Sequence, residues 1–133
     1  MKILIDLGGE HFRWLHHSRM LALVIKPILE ALVMVDQLFL RKFHVPPLYQ
    51  AGVRYQREPD DGIEEFASTP KVLVRGYGDC DDLAPWRVAE LRNQGERAKI
   101  RVQWRKMPNG KLYHIVVRRG NGTIEDPSRI LGM

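Results

Sequence analysis

The chain has 133 residues, 44% of them hydrophobic and 28% charged, which suits one domain with a real core and excludes wholesale disorder. Its 21 Lys and Arg against 16 Asp and Glu leave a net charge of +5, and a single cysteine excludes an internal disulfide and a cysteine-based zinc site. No basic stretch with a following cleavage site marks a secretory signal, and the lone thiol fits a reducing compartment or a particle assembled in one.

Residues 2–6 (Lys-Ile-Leu-Ile-Asp) read as a short strand or an extended arm. From Gly9 to Phe43 the pattern is helical, and Pro27 is expected to divide or kink it, because proline removes a backbone donor and clashes with the preceding turn. Lys26, Glu30, Gln37 and Arg41 form a narrow polar stripe on an otherwise apolar helix. Lys26, Glu30 and Asp36, together with Pro27, argue against a membrane span over 20–40. So apolar a helix is expected to be buried in the domain and against a partner, either a second copy of the chain or another protein.

Residues 44–70 hold Pro46, Pro47, Pro59 and Pro70 without a sustained period and read as a long irregular connection, with a short helix expected around Gly62–Ser68. Leu83 to Asn93 is the next helix, and Gly95 is placed to end it. Pro85 suggests that regular helix starts at Asp81 or Asp82. Strands follow at 98–106, 112–119 and 123–126. The cations between Arg97 and Arg119 give this region a basic surface, but no recognition motif accompanies them, so nucleic acid is not the expected partner.

The turns between the strands set which side chains share a face. A three-residue loop at Pro108-Asn109-Gly110 suits proline at the first turn position and glycine at the left-handed one. It predicts Trp104 opposite His114, with Ile100, Val102, Trp104, Leu112, His114 and Val116 on one face. The same loop at Gly120-Asn121-Gly122 predicts Asp126 opposite Val116 and diagonal to His114.

Cys80 stands where a glycine-containing loop gives way to a helix, in Gly-Tyr-Gly-Asp-Cys-Asp-Asp-Leu-Ala (76–84). A lone thiol at a helix start, with a later His114 and Asp126 on strands, suggests a nucleophile, a base and an orienting carboxylate. The structural alternative is a small buried cysteine and a hydrogen-bonded sheet histidine. The helix N-terminus favours the thiolate, while Asp79, Asp81 and Asp82 oppose it if they face the sulfur and otherwise cap the first turn. If the thiolate wins, Cys80 and His114 form an ion pair. The Cys80 backbone N–H is the natural first oxyanion donor; Gln56, Tyr55, Trp104 and Gly78 are candidates for the rest of the oxyanion and substrate site. No metal or cofactor site is read.

Gly78-Asp79-Cys80-Asp81-Asp82-Leu83-Ala84, Ala89-Glu90-Leu91-Arg92-Asn93-Gln94-Gly95, Tyr113-His114-Ile115-Val116-Val117 and Asp126-Pro127-Ser128 together resemble the transglutaminase-like cysteine peptidase superfamily, in particular small versions encoded among tailed-phage structural genes. The resemblance covers residues 45–133 and leaves 1–44 as an N-terminal arm and helical segment, the two expected to form one compact domain. It implies an α+β, papain-like fold in which a cysteine-bearing helix packs on a small antiparallel sheet. It also implies Cys80 as nucleophile, His114 as base and Asp126 as orienter in thiol acyl chemistry on a protein or peptide. A place in the bacterial host cytoplasm or the virion follows from it, with phage structural proteins as partners. The chain stops at Met133, without the longer sheet of large transglutaminases, which favours amide hydrolysis over cross-linking. A structural virion protein on the same fold and a cell-wall peptidase are the competing expectations.

Overall fold

The computed structural model describes residues 2–6, 11, 19–59, 63–108 and 110–133, with the backbone alone for 106, 107, 110 and 111. The fold is α+β. Helix α1 (Met20–Lys42) is followed by a 3₁₀ turn (Leu48–Gln50), strand β1 (Arg54–Tyr55), helix α2 (Thr69–Arg75), strand β2 (Tyr77–Gly78) and helix α3 (Cys80–Asn93). Strands β3 (Lys99–Met107), β4 (Gly110–Arg118) and β5 (Ile124–Glu125) and helix α4 (Pro127–Ile130) complete it. β1 and β2 pair in parallel, and β3, β4 and β5 form an antiparallel sheet in that order.

Residues 2–6 are exposed and form no strand, and the part of the expected first helix at 9, 10 and 12–18 lies outside the described residues. From Met20 onward α1 is continuous through Pro27, so proline does not divide it. Leu21, Ile25, Leu29 and Val33 repeat every four residues and pack with Ala84, Val88 and Leu91 of α3 and with Ile100, Ile115 and Val117 of the sheet. That burial carries the helix across the missing backbone bond.

Three of the four residues in the polar stripe of α1 reach α3, while Lys26 stays exposed. Glu30 pairs with Arg92 at 2.8 Å, and Gln37 and Arg41 reach the Asn93 side chain at 3.3 and 2.9 Å. These contacts tie α1 to the C-terminal end of α3. The exposed large side chains of α1 are instead Met20, Leu23, Met34, Val35 and Leu38. No helix among the described residues is long and apolar enough to cross a membrane.

Asp36 is fully buried in α1 and accepts the Thr69 backbone N–H at 2.8 Å, fastening the start of α2. Burial pushes its pKa up to about 7, against the Thr69 hydrogen bonds. The folded chain therefore holds this proton at pH values where the unfolded chain has lost it. Stability from Asp36 is greatest below pH 4 and falls as pH rises to about 7, by up to about 4 kcal/mol. Asp36→Asn should raise the melting temperature at pH 8 and flatten its fall between pH 4 and 7; thermal melts across that range check it.

The expected helix around 62–68 is absent at 63–68, and helix begins only at Thr69. Ser68 is the extended N-cap, and Pro70 stands in the first turn, where a missing N–H costs nothing. The segment before it is held from outside: Asp82 accepts the Ala67 N–H at 2.6 Å, and Glu58 accepts the Glu65 N–H at 3.2 Å. Gly95 takes the left-handed conformation just past α3, as expected of it.

The β3–β4 register differs by one residue from the expectation. Met107 pairs with Gly110 and Gln103, not Trp104, with His114. Hydrophobic patterning decides this. Ile115 and Val117 are 0% exposed and share a core with Ile100, which requires the three on one face. The expected register would have turned Ile115 and Val117 onto the side of Arg101 and Arg105. A two-residue connection also leaves Pro108 in the turn, where its absent N–H is not missed. The β4–β5 connection is the three-residue loop: Gly122 has φ +89°, and Arg119 donates to Thr123 at 2.8 Å.

Candidate functional site

α3 starts at Cys80, ahead of the expected start at Asp81 or Asp82, because Asp79 caps it. The Asp79 side chain meets the Asp82 backbone N–H, and Asp82 accepts the Asp79 N–H at 3.3 Å, a reciprocal capping box. Gly78 precedes the cap for steric reasons. A β-carbon there would lie 3.1 Å from the Asp82 Cβ and 3.2 Å from Leu83. Gly78 therefore seats the turn against α3.

On the sheet side, the register extends to place Asp126 opposite Val116, and His114 Nε2 lies 2.9 Å from Asp126 Oδ2. His114 is 4% exposed. A carboxylate accepts, so it holds the proton on Nε2 and leaves Nδ1 as the basic atom of the neutral ring. Asp126 also caps α4 through the Arg129 N–H at 3.2 Å, and Pro127 in the first turn ends β5. Its neighbour Glu125 is fixed by Arg87 at 2.6 Å, Arg119 at 2.5 Å and the Tyr49 hydroxyl at 2.5 Å. This network locks the Asp126 strand to α3, and only the tertiary arrangement reveals it. The spacing Arg87–Glu90 was its one local signal.

Because β5 ends at Glu125, Ile115 has no β5 partner to receive its amide. The Cys80 sulfur fills that place, hydrogen-bonded to the Ile115 backbone, one residue along from His114. Among the described residues the thiol and the imidazole are not hydrogen-bonded to each other; the Nε2 contact with Asp126 leaves Nδ1 unengaged.

The competition at the thiol goes to burial and the acids. Burial first and Asp79 second push Cys80 up to about 12, with Glu64 and Asp82 adding to this and the Ile115 amide opposing. In this state Cys80 holds its proton at neutral pH, so the ion pair with His114 is not formed. The acids are themselves strained by burial. Asp81 is pushed well above the carboxylate range, by burial and then by Asp79. Burial and Asp79 push Asp82 up to about 8, although Ala67 and Arg75 favour its ionised form. Asp79, Asp81 and Asp82 converge, as do Glu58, Glu64 and Asp79, so these are the described groups whose spacing would admit a cation.

Of the secondary candidates, Tyr55 lies close enough to Cys80 and Asp79 to feel their charge. Burial raises its pKa, and Cys80 and Asp79 raise it further. A hydroxyl there keeps its proton and can donate. Gln56 is exposed, and its side-chain oxygen is taken by Arg54 at 2.9 Å. Trp104 lies on the Tyr113 face, edge-on to that ring at 6.4 Å between centroids, and not beside His114, for the reason of register given above. Tyr113, which the spacing did not single out, donates to Glu64 at 2.5 Å and approaches Asp81 at 3.5 Å, closing the acid cluster over the start of α3. No family model, characterised protein or solved structure matches this chain.

Proposed function

We propose that the chain is a thiol-dependent amide hydrolase or acyltransferase of the transglutaminase-like, papain-like kind, acting on a protein or peptide in a phage particle or during its assembly. One observation carries this reading: the His114–Asp126 pair at 2.9 Å lies one residue from the amide that holds the Cys80 sulfur. Cys80 attacks the carbonyl carbon. His114 Nδ1 takes the thiol proton and passes it to the leaving amine, and water or a second amine resolves the thioester. The Cys80 N–H and the Tyr55 hydroxyl receive the developing oxyanion.

A thiol raised to about 12 reacts through proton transfer to His114 as substrate enters, not as a standing thiolate. Its labelling by a small electrophile, followed by intact mass, should therefore rise steadily with pH from neutral into the alkaline range. His114→Ala should slow that labelling near neutral pH. Equal labelling of both proteins at every pH would overturn the dyad.

The second reading is a structural component of a particle on the same fold, host-cytoplasmic before assembly. The exposed Leu23, Met34, Val35 and Leu38 of α1, 52–70% accessible, favour it as a contact for phage structural proteins or for a second copy. A Cys80 labelled only after unfolding would support this reading over the enzyme.

A further inference from the structure

The observed register collects the cations of the sheet on the face that carries His114. Lys99 pairs with Arg118, Arg101 with Val116, Gln103 with His114 and Arg105 with Leu112, and cross-strand partners share a face. Lys99, Arg101, Arg105 and Arg118 are exposed, as is Arg97. None of these five enters an ion pair among the described residues. Lys99 and Arg118 stand directly opposite, a like-charge pairing that costs a sheet stability. Beside them a cavity of about 200 Å³ is lined by Arg97, Lys99, Arg118, Arg119, Gly120 and Gly122. Arg119 is neutralised by Glu96 and Glu125, which leaves three free cations around it.

Protection of an exposed sheet edge accounts for charges on β3, which is an edge strand, but not for Arg118 on the central strand. A solvated face does not require like charges to be paired or gathered around a cavity. The arrangement suits an anionic ligand. We propose that this face binds an acidic polypeptide segment in extended conformation and leads it past His114. This deepens the enzymatic reading above and rests on it for the role of His114.

The period of the track fits a peptide. Cations at alternate positions of β3 lie about 7 Å apart, the repeat of alternate side chains in an extended chain. Carboxylates at every second residue of the ligand meet Lys99 and Arg101 one repeat apart and Arg105 two repeats further on, with Gln103 facing the one between, and Arg118 with the cavity takes one end. Between the cations this face shows the half-buried Gln103 and Leu112, with His114 and Val116 buried beneath, and no aromatic ring, so it lacks the stacking platform of a single-strand nucleic-acid site.

The test uses fluorescence anisotropy with a short fluorescein-labelled peptide bearing glutamate at alternate positions, at low salt, on the full chain. The acidic peptide should bind, its glutamine counterpart should not, and Cys80→Ala should bind as the parent does. Arg118→Glu should weaken binding by about tenfold while raising the melting temperature, because it converts the opposed pair with Lys99 into an attractive one. A structural disturbance would move both readouts downward. Lys42→Glu, on an exposed cation of α1, should leave binding unchanged. Equal binding by the parent and Arg118→Glu overturns the proposal, as does an oligonucleotide displacing the peptide at much lower concentration. If the peptide binds in this charge-dependent way but its activated ester never acylates Cys80, the enzymatic reading fails and the binding face stands. If acidic and neutral esters acylate Cys80 equally and no binding is seen, the face fails and the enzymatic reading stands.

Discussion

Replacing His114 with alanine should lower turnover of an acidic peptide ester or amide by about 10²–10⁴-fold, the range that positioned acid–base catalysis supplies. The ring is buried, oriented by Asp126 at 2.9 Å, and one residue from the amide that holds the thiol. No carboxylate in the site replaces it, because burial pushes Asp81 and Asp82 toward their protonated forms. Asp126→Asn should cost much less than Asp126→Ala, because an amide oxygen still accepts from Nε2–H and still caps α4. Steady-state rates for the three variants, with circular dichroism to confirm folding, check the ordering. A His114→Ala protein with parental rates would end the proposal that this histidine is the base.

Arg75→Ala should be the most destabilising single surface-to-core change. Arg75 ion-pairs with the fully buried Asp82, donates to the Tyr77 carbonyl at 2.7 Å and stacks over the Tyr77 ring at 4.8 Å. It also meets Glu65 at 3.3 Å, so one guanidinium joins α2, β2, the 63–68 segment and the cap of α3. Without it Asp82 is a buried charge with no cation. Above pH 8, where Asp82 is ionised, the loss should be about 3–5 kcal/mol, seen as a fall in melting temperature of roughly 10 °C or more. The sign with pH follows from the raised pKa. In acid the Asp82 carboxyl carries a proton in both proteins and no longer needs the cation, so the difference should shrink. Arg75→Ala combined with Asp82→Asn should cost less than the two changes summed. Urea titrations at pH 5 and pH 9 measure each term. A loss of equal size at both pH values would mean that Arg75 acts through packing on Tyr77 alone.

Much of the site was legible because it is local. The Gly120-Asn121-Gly122 loop fixes its own geometry, since a glycine at φ +89° closes a three-residue hairpin. That loop alone put Asp126 opposite Val116 and within reach of His114. The cap at Asp79 and the helix that follows Cys80 are likewise written in adjacent residues.

What sequence could not settle depended on competition between distant groups. Pro108 is compatible with two turns, and the choice fell to Ile115 and Val117 seeking the core of α1 and α3. The polar stripe of α1 was visible in the sequence, but that Arg92 and Asn93 would supply partners for Glu30, Gln37 and Arg41 was not. At Cys80 the helix N-terminus and three aspartates were both visible in the sequence, but their balance was not. Burial and the placement of Asp79 decided it for the protonated thiol, against the pull of the Ile115 amide. The sequence by itself determined the Gly120-Asn121-Gly122 turn and the glycine that ends α3, through backbone preferences that act over a few residues. The tertiary structure alone decided which faces are buried and which charges are desolvated, because those energies depend on what the rest of the chain packs against them.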